Sequence, residues 1–396
     1  MKTLKRLRVA IVGGGAAGFF CALNLKEMRP DAEVTIFERS RKVLAKVEVS
    51  GGGRCNCTNT FADVSDLSAV YPRGHRLLKR LFNVFDQRDA YAWFERHGVP
   101  LTVQADQCVF PAAQDSHAII DCFLREARRH GIVIRTDCRV ESLDQLDGFD
   151  ATVVTTGGLS AHSPLLASLP DVVEPVPSLF TFRIDDAALC ALMGTVVERA
   201  QVLLPGTKLR ASGPLLITHW GMSGPAILRL SSHGARLLAE HAYRCPLAVN
   251  WTGHSEAEVA AEVAALTVRQ GQKQLPNVRP FDLPARLWNY LLEKSLQGRA
   301  HAPWTSLNRK EQNRLVSVLT CDNYLIAGRA PFRDEFVTCG GVALTAVNPS
   351  TLECRTRPGL YLAGEVLDID GVTGGFNFQA AWTTAYVVAS SLAARA

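Results

Sequence analysis

The sequence predicts an α/β protein in which a Rossmann-like dinucleotide-binding domain is interrupted by a β-rich insert carrying a helical subdomain. Three observations predict it. A strand, glycine turn, helix and second strand open the chain, and another strand, glycine loop and helix close it. Between them the pattern changes, reading first as strands and then, from Ser255 to about Leu319, as helices.

A chain of 396 residues is too long for one ordinary core, so two or three domains are expected. With 47% hydrophobic and 20% charged residues it is globular. The net charge of +5 is spread along the chain rather than gathered into blocks, so a nucleic-acid partner is not expected. Eleven scattered cysteines without paired CxxC spacing read as reduced thiols and a cytoplasmic location, not a secreted disulfide framework. The opening MKTLKRLRVAIVGGG has the basic head and apolar run of a signal peptide, but its glycine triplet breaks that reading. No segment reaches the length of a membrane span, so no membrane partner is expected.

The first element is RVAIV (residues 8–12), a β-branched run with the look of a buried parallel strand. It runs straight into Gly13-Gly14-Gly15-Ala16-Ala17-Gly18 and a helical pattern, FFCALNLKEM. EVTIF follows as a second strand and ends at Glu38 and Arg39, Glu38 lying about twenty positions beyond Gly18. In such a unit Gly13 makes the tight turn, Gly15 lets the backbone approach a pyrophosphate, and Gly18 lets helix and strand pack closely. The helix start offers N–H groups and positive dipole to phosphates, and Glu38 can accept bonds from ribose hydroxyls.

The last element pair is LYLA, then Gly364-Glu365, a polar loop with Gly374-Gly375, and a helix from about Phe376 and Asn377. Two such sites at opposite ends of one chain suit FAD, which lies extended: one end holds the adenosine diphosphate, the other the ribityl chain and ring. Glu365 is placed for a ribityl hydroxyl. Gly374 and Gly375 would bring N–H groups and helix dipole to the flavin edge where charge accumulates on reduction.

The stretch KVEVSGGGRCNCTNT (residues 46–60) fits this frame. Successive glycine N–H groups make an anion-binding concavity, and Arg54 offers a fork of donors. A metal knuckle would need two further ligands that no nearby Cys or His supplies, so no metal is expected. Cys55 and Cys57, spaced CxC, could close only a strained ring, which argues against a redox disulfide.

Together KVEVSGGGRCNCTN, YPRG, WFERHGVPL, VFP, THWGMSGPAIL, TCGGVALTAVNPSTLECR and GLYLAGEVLDIDGVTGGFNFQAAW resemble, in order and over nearly the whole chain, the BaiN-like (YhiN-like) family of bacterial NAD(P)/FAD-dependent oxidoreductases. The resemblance implies an FAD domain of the two-dinucleotide-binding flavoprotein type with a long insert. Family members are linked to different chemistries, amine oxidation and steroid double-bond reduction among them. It places Lys46 and the run from Ser50 through Gly52, Gly53, Arg54, Cys55 and Asn56 against flavin and pyrophosphate. It also places a strand ending near Val140 beside the adenine, and the turn carrying Thr156 and Gly157 close to the adenosine. Where the family carries a three-stranded meander after Val140, this chain has only a short connection.

The expected organisation is an FAD-binding domain over residues 1–178 and 335–396. A β-rich substrate domain covers 179–254 and 321–334, and a helical subdomain covers 255–320. The expected function is hydride transfer between flavin N5 and a small organic substrate bound between FAD domain and insert. NAD(P)H is the expected donor, docking transiently because the chain has one GxGxxG. An amine-type oxidase, a flavin-dependent RNA modifier and an FAD-sensing protein share the same FAD domain. The sequence compels no catalytic acid or base. His219 in THWGMSGP is read as a loop histidine and Trp220 as a packing residue.

Overall fold

The computed structural model describes residues 6–160, 163–330 and 337–395. Two compact units divide the chain, Met1–Val176 with Val337–Ala396 and, inserted between these segments, Pro177–Phe336. The expected return junction near residue 335 lies outside the described residues.

The first unit is built on a five-stranded parallel sheet in the order Leu360–Leu362, Ala151–Val154, Arg8–Val12, Glu33–Phe37, Val133–Arg135. Four of the five residues of the central strand are buried, as expected where helices cover both faces. The register aligns Val12 with Phe37 and with Val154, and Val154 with Leu362. The four segments that follow these residues therefore emerge along one edge of the sheet, its carboxyl edge, where open α/β sheets bind ligands.

The first helix (Ala16–Met28) packs against the last (Phe376–Ala393). Twelve of the eighteen residues of the last helix are buried, Gln379, Thr383 and Thr384 among them. Phe20 joins the two helices to the Gln87–Arg96 helix, its ring centroid 4.7 Å from Trp93 and 5.1 Å from Trp382.

The expectation about Val140 needs correction. The edge strand stops at Arg135, and Val140 lies beyond it in irregular, half-buried chain packed on the core. A short 3-10 turn, Leu143–Leu146, capped by Ser142, then leads to the strand Ala151–Val154. Too few residues separate these points for a meander.

The inserted unit is a closed six-stranded barrel. Its helices Glu256–Arg269, Ala285–Leu296 and Arg309–Thr320 share the barrel's hydrophobic core. Buried Asp322 ties the two parts together by accepting from Trp251 Nε1 at 3.0 Å and pairing with Lys294 Nζ at 2.6 Å. His219 and Trp220 form the tip of the hairpin between Arg210–Thr218 and Gly221–Ser223, with Pro225 opening the next helix. His219 is exposed, its ring 4.8 Å from that of Trp220, as a loop histidine should be.

Candidate functional site

The carboxyl edge of the parallel sheet collects four candidate segments. After Val12, Gly13 turns the chain at φ +115°, its N–H donating to Phe37 O at 2.8 Å. A Cβ on Gly13 would stand 2.4 Å from Thr155 O, and one on Gly18 would stand 2.0 Å from Gly13 O. These glycines serve the fold. Gly15 differs, since a Cβ there meets nothing within 4 Å. It opens the first helix with no side-chain cap, as Gly375 opens the last. By contrast Asp86, Ser255 and Asn308 close capping boxes on their helices. Open space over an uncapped helix start is what a pyrophosphate needs.

After Phe37, Glu38 turns back. One carboxylate oxygen accepts from Gly14 N–H and the other from Ser40 N–H, each at 2.9 Å. The candidate ribose acceptor is thus held rigidly against the glycine turn. Arg39 beside it is exposed.

After Val154 the turn carries a residue that sequence reasoning missed. Thr155, not Thr156, binds the glycine turn, its hydroxyl donating to Val12 O at 3.1 Å or Gly13 O at 3.0 Å. Thr156 is exposed and Gly157 has φ +73°. The doubled threonine in VVTTGG was the only signal, and it could not say which side chain points inward.

After Leu362, Gly364 sits at φ +76° with its N–H on Thr384 Oγ1 at 2.9 Å, and a Cβ would press to 3.0 Å from Ala17 Cβ. Glu365 then gathers three separate segments. Its Oε1 accepts from Thr338 N–H at 2.8 Å, its Oε2 lies 3.0 Å from Lys46 Nζ, and Gly157 passes close to that same oxygen.

The segment from Lys46 onward forms the remaining wall. Gly51, Gly52 and Gly53 take left-handed φ of +57°, +70° and +84°. A Cβ at Gly52 or Gly53 meets nothing within 4 Å, so their backbone faces open space. Such a run of left-handed residues presents successive N–H groups to an anion. Cys55 is also left-handed, at φ +59°, and wholly buried. Burial pushes its thiol up to about 12, and burial likewise raises that of Cys57, whose Sγ donates to Val109 O at 3.3 Å. Both cysteines are free thiols. Among the described residues no group of three His, Cys, Asp or Glu is placed to hold a metal ion.

Three side chains here are already committed. Arg54, expected to reach for an anion, lies across the Phe110 ring at 4.3 Å and donates to Gly51 O and Gln114 Oε1. Asn56, expected at the flavin edge, donates to Thr58 O at 2.9 Å and accepts from Gly375 N–H at 3.2 Å. Asn377 clamps Gly371 through both its N–H and its carbonyl. What remains toward the ring end is the start of the last helix, where Gln379 N–H to Gly375 O at 3.0 Å is the bond closing the first turn at Gly375.

The glycine loop is locked onto that helix. Thr58 Oγ1 donates to Gln379 at 2.6 Å, Asn59 to Gly374 O at 3.0 Å, and Trp382 Nε1 to Cys57 O at 2.7 Å. Two segments far apart in the chain become neighbouring walls, and the open backbone at Gly15, Gly52 and Gly53 fits an extended dinucleotide such as FAD.

The family described as HI0933-like protein Rossmann domain matches residues 7–391. Among curated proteins, the 3-dehydro-bile acid delta(4,6)-reductase of Clostridium scindens is 27% identical over 414 residues, covering 98% of this chain and 99% of that one. The ribosomal RNA dihydrouridine synthase of Escherichia coli is 28% identical over 420 residues, covering 99% of each. Among solved structures, 3-ketosteroid delta1-dehydrogenase from Sterolibacterium denitrificans has the same overall fold. Its TM-score is 0.50 at 10% identity, over 98% of this chain and 99% of that one. The flavoprotein resemblance carried by the motifs is borne out.

Proposed function

Because the chain belongs to the HI0933-like Rossmann family, a family of FAD-dependent oxidoreductases, we propose that it reduces a carbon–carbon double bond conjugated to a carbonyl group. One observation carries the reading: two relatives aligned end to end, unlike in substrate, are named for the same kind of step. A delta(4,6)-reductase acting on a 3-dehydro steroid and a synthase converting uridine to dihydrouridine both saturate a ring double bond activated by a carbonyl. The uridine relatives also return RNA to the candidate substrates, although the charge of +5 alone did not point there.

In this reading Gly13, Gly15, Ala17 and Gly18 hold the pyrophosphate and Glu38 the ribose, with Arg39, Val140, Thr156 and Gly157 around the adenosine. Lys46, Gly52, Gly53, Arg54, Cys55 and Asn56 wall the middle of the cofactor. Gly364, Glu365, Gly374, Gly375, Phe376 and Asn377 take its ring end. FAD bound there supplies two-electron redox chemistry. The chain's own share is position and field: Glu365 keeps Lys46 at the cofactor's middle, and the last helix directs its positive end toward the ring. The reductant in this proposal is NADH or NADPH, visiting transiently.

The test is anaerobic rapid mixing, following the oxidised flavin band at about 450 nm. Bleaching by NADH or NADPH, then return of the band on adding a 3-oxo-4-ene steroid or ribosomal RNA, is the expected result. A flavin that neither nucleotide reduces removes the NAD(P)H arm, and a reduced flavin that neither acceptor reoxidises removes the double-bond reading.

A further inference from the structure

YPRG, residues 71–74, has had no part in the site so far. The structure zips it onto the loop that feeds the Gly374-Gly375 turn. Arg73 and Asp370 form an antiparallel bridge. A Cβ on Gly74 would stand 2.6 Å from Ile369 Cγ1, and one on Gly371 would stand 3.2 Å from the Tyr71 ring. Tyr71 donates its hydroxyl to Phe376 O at 2.8 Å, at the first residue of the last helix.

Asp370, wholly buried, takes Arg73 Nε and Nη2 on its two oxygens, fixing the guanidinium plane. The charge of Arg73 also interacts with Cys339 and Asp368. Asp368 donates its own N–H to Val342 O at 2.9 Å, so it is anchored by its backbone. Its side chain is not satisfied: Oδ1 is buried and has no hydrogen-bond partner. A buried carboxylate oxygen left without a donor costs about 1–3 kcal/mol or more, so such an atom calls for an explanation.

We propose that Arg73 and Asp368 together form a substrate subsite for the edge of a cyclic imide, the carbonyl oxygen going to the guanidinium and the adjacent ring N–H to Asp368 Oδ1. The inference rests on the reading of the same site as a reductase of conjugated double bonds, and it names the substrate class. A uracil ring carries such an edge, with its N3–H beside the C4 carbonyl that activates the ring double bond. A steroid enone presents a carbonyl and no N–H, and would leave Asp368 Oδ1 orphaned. The uracil could come from free uridine or from RNA, since the edge is the same in both. Asp370 acts here through Arg73 as a positioning residue.

The test is equilibrium binding to the FAD-loaded full chain, using uridine, N3-methyluridine, single-stranded RNAs containing either base, and a 3-oxo-4-ene steroid. Methylation at N3 is expected to weaken binding at least about tenfold in the native sequence, the size of one hydrogen bond to a charged group. In Asp368→Ala the methylated and unmethylated ligands should bind within about twofold of each other. Should that variant fail to load FAD, the methylation ratio on the unaltered protein still decides. RNA binding without free-uridine binding, with the same N3 dependence, supports the inference and assigns the source to the polymer. Indifference to N3 methylation, or no binding by any uracil ligand while the steroid is reduced, overturns the subsite and leaves the reductase reading standing.

Discussion

Lys46 Nζ stands 3.0 Å from Glu365 Oε2, although 319 positions separate the two residues. The lysine side chain is 60% exposed and the glutamate 18%, so solvent screens the pair and it contributes less than about 1 kcal/mol to the fold. Its effect belongs at the cofactor. Lys46→Met should leave the unfolding midpoint nearly unchanged while weakening FAD binding about tenfold, as loss of one charged hydrogen bond would. Glu365→Ala should do more, because Thr338 N–H also loses its acceptor. Flavin released on dialysis, set beside a thermal melt, separates the two effects.

Gly15 and Gly18 of the fingerprint are predicted to behave differently. Gly15→Val keeps φ at −97°, an ordinary extended value, and its Cβ meets nothing within 4 Å. It should fold normally and lose FAD, since the side chain fills the space over the helix start. Gly18→Ala forces a Cβ to 2.0 Å from a backbone carbonyl and should cost about 1–3 kcal/mol or more of stability. Circular dichroism melts alongside the flavin spectrum check both.

Glu38→Ala removes the acceptor for the Gly14 and Ser40 N–H groups as well as the candidate ribose contact. FAD retention should fall, and stability should drop by about 1–3 kcal/mol as the turn loosens. Glu38→Gln keeps one backbone acceptor and should recover part of the stability and less of the FAD affinity.

Cys57→Ser should change little. The hydroxyl can donate to Val109 O in place of the thiol. Its cost should stay near about 1 kcal/mol, with flavin retained. Of the eleven cysteines Cys321 is the exposed one, so a thiol reagent should label it first in both proteins.

His97 should make stability depend on pH. Burial opposes its charge, but the Glu27 carboxylate at 2.7 Å and the Trp93 carbonyl outweigh it and hold the imidazole above its usual 6.5. The folded protein therefore binds this proton more tightly than the unfolded chain does. The stabilisation is full below 6.5 and is lost as pH rises through the raised value. His97→Ala should lower the melting temperature most at acid pH and least at alkaline pH.

The sheet and its carboxyl edge were legible because the determinants are local. A β-branched run, a glycine turn and an acid at fixed spacing dictate strand, turn and anchor without help from elsewhere. The same holds for the nest at Gly51–Gly53, where the glycine run itself dictates the conformation. The protein partners of Arg54 and Asn56 were not legible because a side chain's partner is chosen in three dimensions: Phe110, Gln114 and Gly375 could not be read from the loop. Arg73 and Asp370 lie 297 positions apart and share no pattern, so only the folded chain pairs them. Val140 was misplaced because short strands end where pairing stops, and the edge strand here has a partner on one side only.

The first helix buries Phe19, Phe20 and Leu23 in a core completed by the very last helix. During synthesis those apolar groups wait until Phe376–Ala393 has cleared the ribosome, so the growing polypeptide carries an unshielded greasy flank until then. A chaperone that binds such flanks should engage this chain early, and FAD should be captured only after release.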